Sequence, residues 1–220
     1  GIPKALCVRK AQMMQSAQMT CRFLGLRAGD SALLCMPLRY IAGKMVVVRA
    51  LVAQLDLCLT VPSGHPLARI ARTPTFAAMV PLQIYNSIQR KEEQIKLMGI
   101  KQLLIGGGAI DTALEQAIRT LPGAIYSTYG MTETLSHIAM RRLNGPLQDE
   151  WYTPLPGVEI SLSQNRSLVI HAPSLSKEKL FTHDIAEINE RGQFRILGRT
   201  DNIITSGGIK ISPEILEQRI

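Results

Sequence analysis

Aromatic residues are scarce in this chain, 5% of 220 residues with a single tryptophan. That is too few for the stacking platform that single-stranded nucleic acid requires. Cysteine is scarce as well: Cys7, Cys21, Cys35 and Cys58 all fall in the first 60 positions, and no C-x-x-C pair occurs. A zinc site is therefore not expected. Each cysteine has apolar neighbours in sequence, so each is expected as a small core residue of a protein kept in a reducing compartment. Basic residues never run longer than a pair such as Arg141-Arg142. No apolar run approaches the roughly 20 residues of a membrane span, and no signal-peptide pattern is present. Internal repeats and low-complexity tracts are absent too. The expectation is a cytoplasmic protein with no stable membrane insertion and no nucleic-acid groove.

What is present is an ordinary globular composition, 46% apolar and 19% charged, and length enough for one large domain or two small ones. A formal charge of +8 spread along the chain points to anionic partners, and without basic clusters a nucleotide or an acidic small molecule fits best. Residues 1–4 read as loop, and a helix begun at Ser212 is unfinished at Ile220. Both ends are thus expected to lie inside a longer protein.

The periodicity predicts a helix over 10–24, ended by Gly25, then a strand over 31–36. A helical pattern over 40–54 and a strand over 55–61 follow. Residues 75–80 read as a strand, with Pro81 suited to the first turn of a helix. Residues 91–98 are amphipathic, 101–105 form a strand, and Asp111 opens a helix that runs to 121. The alternation argues for an α/β fold with a largely parallel βαβ sheet. After about 144 the texture changes to short strands at 158–162, 167–171, 186–189 and 194–197. A small antiparallel β subdomain is expected over 145–200, after the α/β part over 1–144 and before a hinge and the start of a further domain over 201–220.

One stretch organises the rest, Ala124-Ile-Tyr-Ser-Thr-Tyr-Gly-Met-Thr-Glu-Thr134. A buried strand ending at Gly130 would deliver Thr132, Glu133 and Thr134 to the carboxyl edge of the sheet, where open α/β sheets bind ligands. Tyr129 offers a face to a base, Thr132 a donor to a phosphate, and Glu133 a hard oxygen ligand for magnesium. A strand, a turn and a helix N-cap at Thr132 would explain the same residues. Gly106-Gly107-Gly108 lets a flat ligand approach the backbone ahead of a helix start, though it lacks the G-x-G-x-x-G spacing and also reads as a tight turn. Asp184 suits two ribose hydroxyls or a turn cap. The segment from Gly198 to Asp201, followed by Ser206-Gly-Gly-Ile-Lys210, reads alone as a linker carrying a salt bridge.

In this order the pieces resemble the acyl-adenylate-forming superfamily: Gly1-x-Pro-Lys4, Pro37-Leu38, Gly106 to Gly108, Tyr129-Gly-Met-Thr-Glu133, Asp184, Gly198-Arg-Thr-Asp201 and Gly207-Gly-Ile-Lys210. The likeness spans nearly the whole chain. Within the superfamily, Pro37-Leu-Arg-Tyr-Ile-Ala-Gly-Lys44 and 129–136 look most like the o-succinylbenzoate–CoA ligases of menaquinone biosynthesis.

The resemblance implies an AMP-forming acid–thiol ligase that uses ATP, magnesium and coenzyme A. A carboxylate attacks the α-phosphate of ATP, and coenzyme A thiolate then displaces AMP. It implies Lys4 as the end of a phosphate-binding loop, Tyr129 stacked on adenine, Thr132 at the α-phosphate and Glu133 on magnesium. Gly107, Gly108 and Gly130 would frame the nucleotide, Asp184 and Arg199 would grip the ribose, and Asp201 would be a hinge that swings Gly207, Gly208 and Lys210. Two departures stand out. The family's adenylation lysine is expected beyond Ile220, so the chain alone is expected to be inactive or impaired. Tyr40 and Lys44 also replace the family's usual residues. Being four apart they share a helical face, with Arg39 adjacent, and such a face could pair with a second carboxylate of the acid. Ser136 and His137 would border the same pocket, although a satisfied structural histidine is the other reading of His137. Solvated surface charges at Arg39 and Lys44 are the other reading. Another aryl- or short-chain acyl-CoA synthetase, or a non-catalytic nucleotide- or nucleic-acid-binding domain, are the alternatives.

Overall fold

A computed structural model describes residues 7–201 and, as backbone only, the strands Ile204–Ser206 and Ile209–Ile211. Seven strands form the main sheet: β1 (Ser31–Leu34), β2 (Asp56–Leu59), β3 (Phe76–Met79), β4 (Gln102–Ile105), β5 (Ala124–Gly130), β6 (His137–Arg142) and β7 (Thr153–Pro154). Their order is β2-β1-β3-β4-β5-β6-β7, parallel through β5 and antiparallel thereafter. The order reverses between β1 and β3, which opens a crevice at their carboxyl ends.

The parallel strands are apolar on both sides because helices cover both faces. Against one face pack α1 (Lys10–Leu24) and α2 (Ile41–Ala53), through Leu24 and Ala50 onto Ala32, Phe76 and Leu104. Against the other pack α3 (Pro81–Gln89), α4 (Lys91–Met98) and α5 (Thr112–Arg119), through Ile84, Leu97 and Ile118 onto Leu33, Leu103 and Ile125. Local chemistry sets the helix ends. Gly25 closes α1 in the left-handed conformation, φ 65°; Pro81 starts α3; and Asp111 caps α5 by accepting from the Leu114 N–H at 2.7 Å. Gly43 lets α2 lie against the β1–α2 turn, where a Cβ would sit 2.5 Å from the Pro37 carbonyl oxygen.

A second, antiparallel sheet of β8 (Glu159–Leu162), β9 (Ser167–His171), β10 (Leu180–Ile188) and β11 (Phe194–Arg199) shares a core with β6, where Ile138 and Ala139 meet Leu168, Ile170 and Phe194.

Three expectations change here. The main sheet continues past residue 144, since the two residues of β7 belong to it, and it includes a strand that was not expected, β6, which begins only three residues after the organising stretch ends at Thr134. Asp184 lies inside β10, paired with Arg199 of β11, and not in a turn. Of the cysteines, Cys21 and Cys35 are core residues, but Cys58 is partly exposed and Cys7 exposed; all four are free thiols. Among the described residues no helix is long and apolar enough to cross a membrane.

Candidate functional site

The organising stretch behaves as a strand followed by a tight turn. β5 ends at Gly130, and Thr132–Thr134 form one turn of 3-10 helix rather than the start of an α-helix. Gly130 is required by close approach: a Cβ there would strike the Ser136 carbonyl oxygen and the His137 Cα. Thr134 is buried, and its hydroxyl ties the Met131 N–H (2.9 Å) and the Ser136 carbonyl (2.6 Å) into the turn. Leu135 completes it at φ 64°, an unusual conformation for leucine, with its side chain buried. Thr132 and Glu133 are thereby left exposed at the carboxyl edge of the sheet.

Two cavities flank this edge. The first, about 270 Å³, opens at the β1/β3 reversal and is lined by Arg49, Gly106, Gly107, Thr128, Thr132 and His137 among others. The second, about 610 Å³, lies on the α5 side and is lined by Gly108, Glu115, Ser127, Thr128, Arg141 and Tyr152 among others. Thr128 and the triple glycine form the seam between them. In the second cavity, Arg141 makes a two-pronged pair with Glu115 (2.7 and 3.2 Å), and Ser127 meets the Tyr152 hydroxyl at 2.7 Å. Burial pulls the Arg141 pKa down, but Glu115 more than offsets this, and the net shift is upward.

The first cavity holds the more unusual group. Arg49 is 2% exposed. Its Nη2 donates to Ser136 Oγ at 2.5 Å, its Nε has no partner, and no carboxylate pairs with it among the described residues. Burial pushes its pKa down to about 10. A buried guanidinium without an anion carries a desolvation cost of several kcal/mol, and a cavity at its side is where that anion could come from. His137 beside it is also buried; desolvation first, then the Arg49 charge, hold its pKa well below the ordinary value, so it is neutral.

A third feature joins the two sheets. The Tyr129 hydroxyl donates to Asp184 Oδ2, and Arg199 Nη1 donates to Asp184 Oδ1 at 3.1 Å. Arg199 also pairs with Asp201 at 2.7 and 2.8 Å, which with Asp184 raises its pKa. The Tyr129 phenol is pushed up by burial, then by Asp184. The Tyr129 ring packs edge-on against Phe194 and Tyr152, with centroids 5.1 and 6.0 Å away.

The residues singled out in the sequence therefore divide. Gly107, Gly108, Gly130, Thr132, Ser136 and His137 meet around the seam. Tyr129, Asp184, Arg199 and Asp201 form the adjoining network, with Tyr129 lining neither cavity. Arg39, Tyr40 and Lys44 are exposed at the start of α2 and outside the lining of the first cavity, with the Arg39 guanidinium lying over the Tyr40 ring at 4.8 Å. Of the charged residues in and just before α2, Arg49 lines that cavity, while Arg39 and Lys44 face solvent. Lys4, Gly207 and Gly208 lie outside the described residues, and Lys210 is placed only as backbone, opposite Thr205. A carboxylate at the carboxyl edge suits magnesium, which commonly takes one or two protein carboxylates and completes its shell with phosphates and water. Glu133 fits that pattern; a denser group of metal ligands is absent among the described residues.

Arg49, Ser127 and Tyr152 were missed in the sequence. For Arg49 a signal existed: it is the one charge within the apolar helical run 45–53.

A parallel sheet with a reversal, a glycine seam and an acidic turn at its carboxyl edge is the framework of a nucleotide-using enzyme, and the chain belongs to the AMP-binding enzyme family, which matches residues 1–169. Among individual relatives, the 2-succinylbenzoate–CoA ligase of Salmonella typhimurium is 30% identical over 239 residues, covering 100% of this chain and 50% of that protein. An acyl-CoA synthetase (AMP-forming)/AMP-acid ligase II-like protein from Dyadobacter fermentans superposes with a TM-score of 0.87 at 36% identity, over 100% of this chain and 63% of that one. Escherichia coli MenE with a bound phenylether-linked analogue of OSB-AMS gives 0.80 at 26% identity, over 97% and 50%. The chain spans about half the length of the curated relatives it matches.

Proposed function

We propose that this chain is the nucleotide- and acid-binding part of an AMP-forming acid–CoA ligase, and that its acid is o-succinylbenzoate, as in menaquinone biosynthesis. The observation that carries this is the pair of cavities meeting at the Thr128–triple-glycine seam, one of them walled by a buried guanidinium with no carboxylate partner among the described residues. An acyl-adenylate has two lobes joined at a phosphate. The base would occupy the cavity beside Ser127 and Tyr152, and the acyl group the cavity beside Arg49 and His137, with the phosphate at Thr132. A diacid supplies one carboxylate to react and a second to meet Arg49; a charge-assisted pair of this kind is worth more in a dry site than in water.

In the first half-reaction the substrate carboxylate oxygen attacks the α-phosphorus of ATP and pyrophosphate leaves. In the second, the coenzyme A thiolate attacks the acyl carbonyl and AMP leaves. The residues supply placement and charge complementarity more than covalent chemistry. Thr132 donates to the α-phosphate, Asp184 and Arg199 take the ribose, and the glycine seam lets the nucleotide approach the backbone. Magnesium held through Glu133 would neutralise phosphate charge. The other reading kept open is a different aryl- or short-chain acyl-CoA synthetase, which the relatives' modest identity permits.

The test is to incubate the full-length protein with ATP, magnesium, coenzyme A and o-succinylbenzoate and to look for thioester and AMP by mass. Both products are expected. Arg49→Met should raise KM for the diacid about 100-fold or more, in line with the cost of leaving a buried charge unpaired. Products only with other acids would remove the substrate assignment and leave the class. No product with any acid of a panel would remove the ligase reading.

A further inference from the structure

Arg49 is held by something, and its support can be traced outward atom by atom. Its Nη2 donates to Ser136 Oγ at 2.5 Å. Ser136 Oγ lies 3.3 Å from His137 Nδ1, and His137 Nε2 lies 2.9 Å from Thr20 Oγ1. The Thr20 hydroxyl in turn reaches the Ser16 carbonyl at 3.2 Å. Thr20 is fully buried, and His137 is 8% exposed.

The two ends of this chain fix its direction. A guanidinium can only donate, and a backbone carbonyl can only accept. Thr20 spends its one proton on Ser16, so it must accept from His137 Nε2–H. His137 Nδ1 is then an acceptor, and Ser136, having accepted from Arg49, donates to it. Every hydroxyl donates once and accepts once, and the imidazole is restricted to one neutral tautomer. Burial and the neighbouring guanidinium both favour that neutral form.

We infer that Thr20 on α1 and His137 on β6 are positioning residues: through Ser136 they orient the Arg49 guanidinium towards an anionic group of the acyl substrate. The inference rests on the reading that the first cavity takes an acid with a second carboxylate. Packing alone would hold the Arg49 stem but leave its terminal torsions free. The relay removes that freedom, and an anion meeting a preoriented fork loses less entropy on binding.

The experiment measures binding of two non-hydrolysable acyl-sulfamoyl adenosines to the full-length protein, one with the 2-succinylbenzoyl group and one with plain benzoyl. The ratio of their Kd values reads the second carboxylate alone, so a general loss of folding cancels. Thr20→Val keeps the shape but removes the acceptor for Nε2–H, and should reduce this ratio about tenfold. Thr20→Ser should keep it within about twofold, because the hydroxyl remains. The ¹⁵N resonances of the wild-type His137 ring should show Nε2 protonated and Nδ1 bare, and Thr20→Val should bring in the second tautomer. If Arg49→Met leaves the ratio unchanged, the diacid reading itself is lost and the inference with it. If Arg49→Met collapses the ratio but Thr20→Val does not, the relay is wrong and the diacid reading stands. A protonated Nδ1 in the wild type would overturn the direction of the relay outright.

Discussion

The Tyr129 hydroxyl donates to the Asp184 carboxylate, joining the last turn of β5 to the middle of β10. Both Asp184 oxygens are taken, since Arg199 occupies the other. The contact ties the two sheets together. Tyr129→Phe leaves a nearly buried carboxylate oxygen without its donor and should cost about 1.5–3 kcal/mol of stability, the range for hydrogen bonds to charged groups. Urea unfolding of wild type and variant measures it; a loss under about 0.5 kcal/mol would mean the contact is marginal in solution.

Gly130 carries the turn that presents Thr132 and Glu133. Because a Cβ would meet main-chain atoms of Ser136 and His137 rather than a movable side chain, Gly130→Ala must shift the backbone of β5 or β6. A loss of about 2 kcal/mol or more is expected, together with weaker magnesium-dependent nucleotide binding. Gly192→Ala, in an open turn at φ 72° with nothing within 4 Å of its Cβ, should cost only about 1–2 kcal/mol of backbone strain and leave nucleotide binding unchanged.

His137 links the site to pH. Its folded pKa is held well below the ordinary histidine value of about 6.5 by burial, then by the Arg49 charge, so the unfolded chain takes up a proton that the folded chain refuses. This contribution is fully present above about pH 6.5 and is lost as pH falls below it, with a slope of up to about 1.4 kcal/mol per pH unit until the folded value is reached. Unfolding free energies at a series of pH values should show this slope in the wild type, and it should be reduced in His137→Asn. Equal slopes in the two proteins would show that the histidine titrates normally.

Arg39, just before α2, and Lys44, in its first turn, are both exposed to solvent. Arg39→Ala and Lys44→Ala should each leave KM for the diacid within about twofold and stability within about 0.5 kcal/mol, as for other exposed charges. A large rise in KM for either would return the carboxylate to the helix start and displace Arg49 from its role.

Much of the architecture was legible in the residues themselves. Apolar runs bounded by glycine and proline marked β1 to β5, Asp111 and Pro81 marked helix starts, and the order of glycine and acidic motifs placed the carboxyl edge of the sheet. These are local properties: backbone freedom, capping and periodicity act within a few residues. β6 was not legible, because its pairing with β5 is decided across the sheet and the turn before it is polar.

The side of α2 that faces the cavity was not legible either. Periodicity says that Tyr40 and Lys44 share a helical face and that Arg49 lies about 140° around the helix from Lys44, but it cannot say which of the two directions is inward. That was settled by Gly43 seating α2 on the β1–α2 turn and by the packing of Ala50 on the sheet, which together turn Arg49 inward and Lys44 outward. The chain order carried the motifs; only the tertiary structure put a buried cation, with no carboxylate partner among the described residues, beside one cavity and joined it to Thr20 through Ser136 and His137, which lie more than 100 residues from Thr20 in sequence. Hydrogen-bond chains of this kind depend on distances between elements, and no single element contains that information.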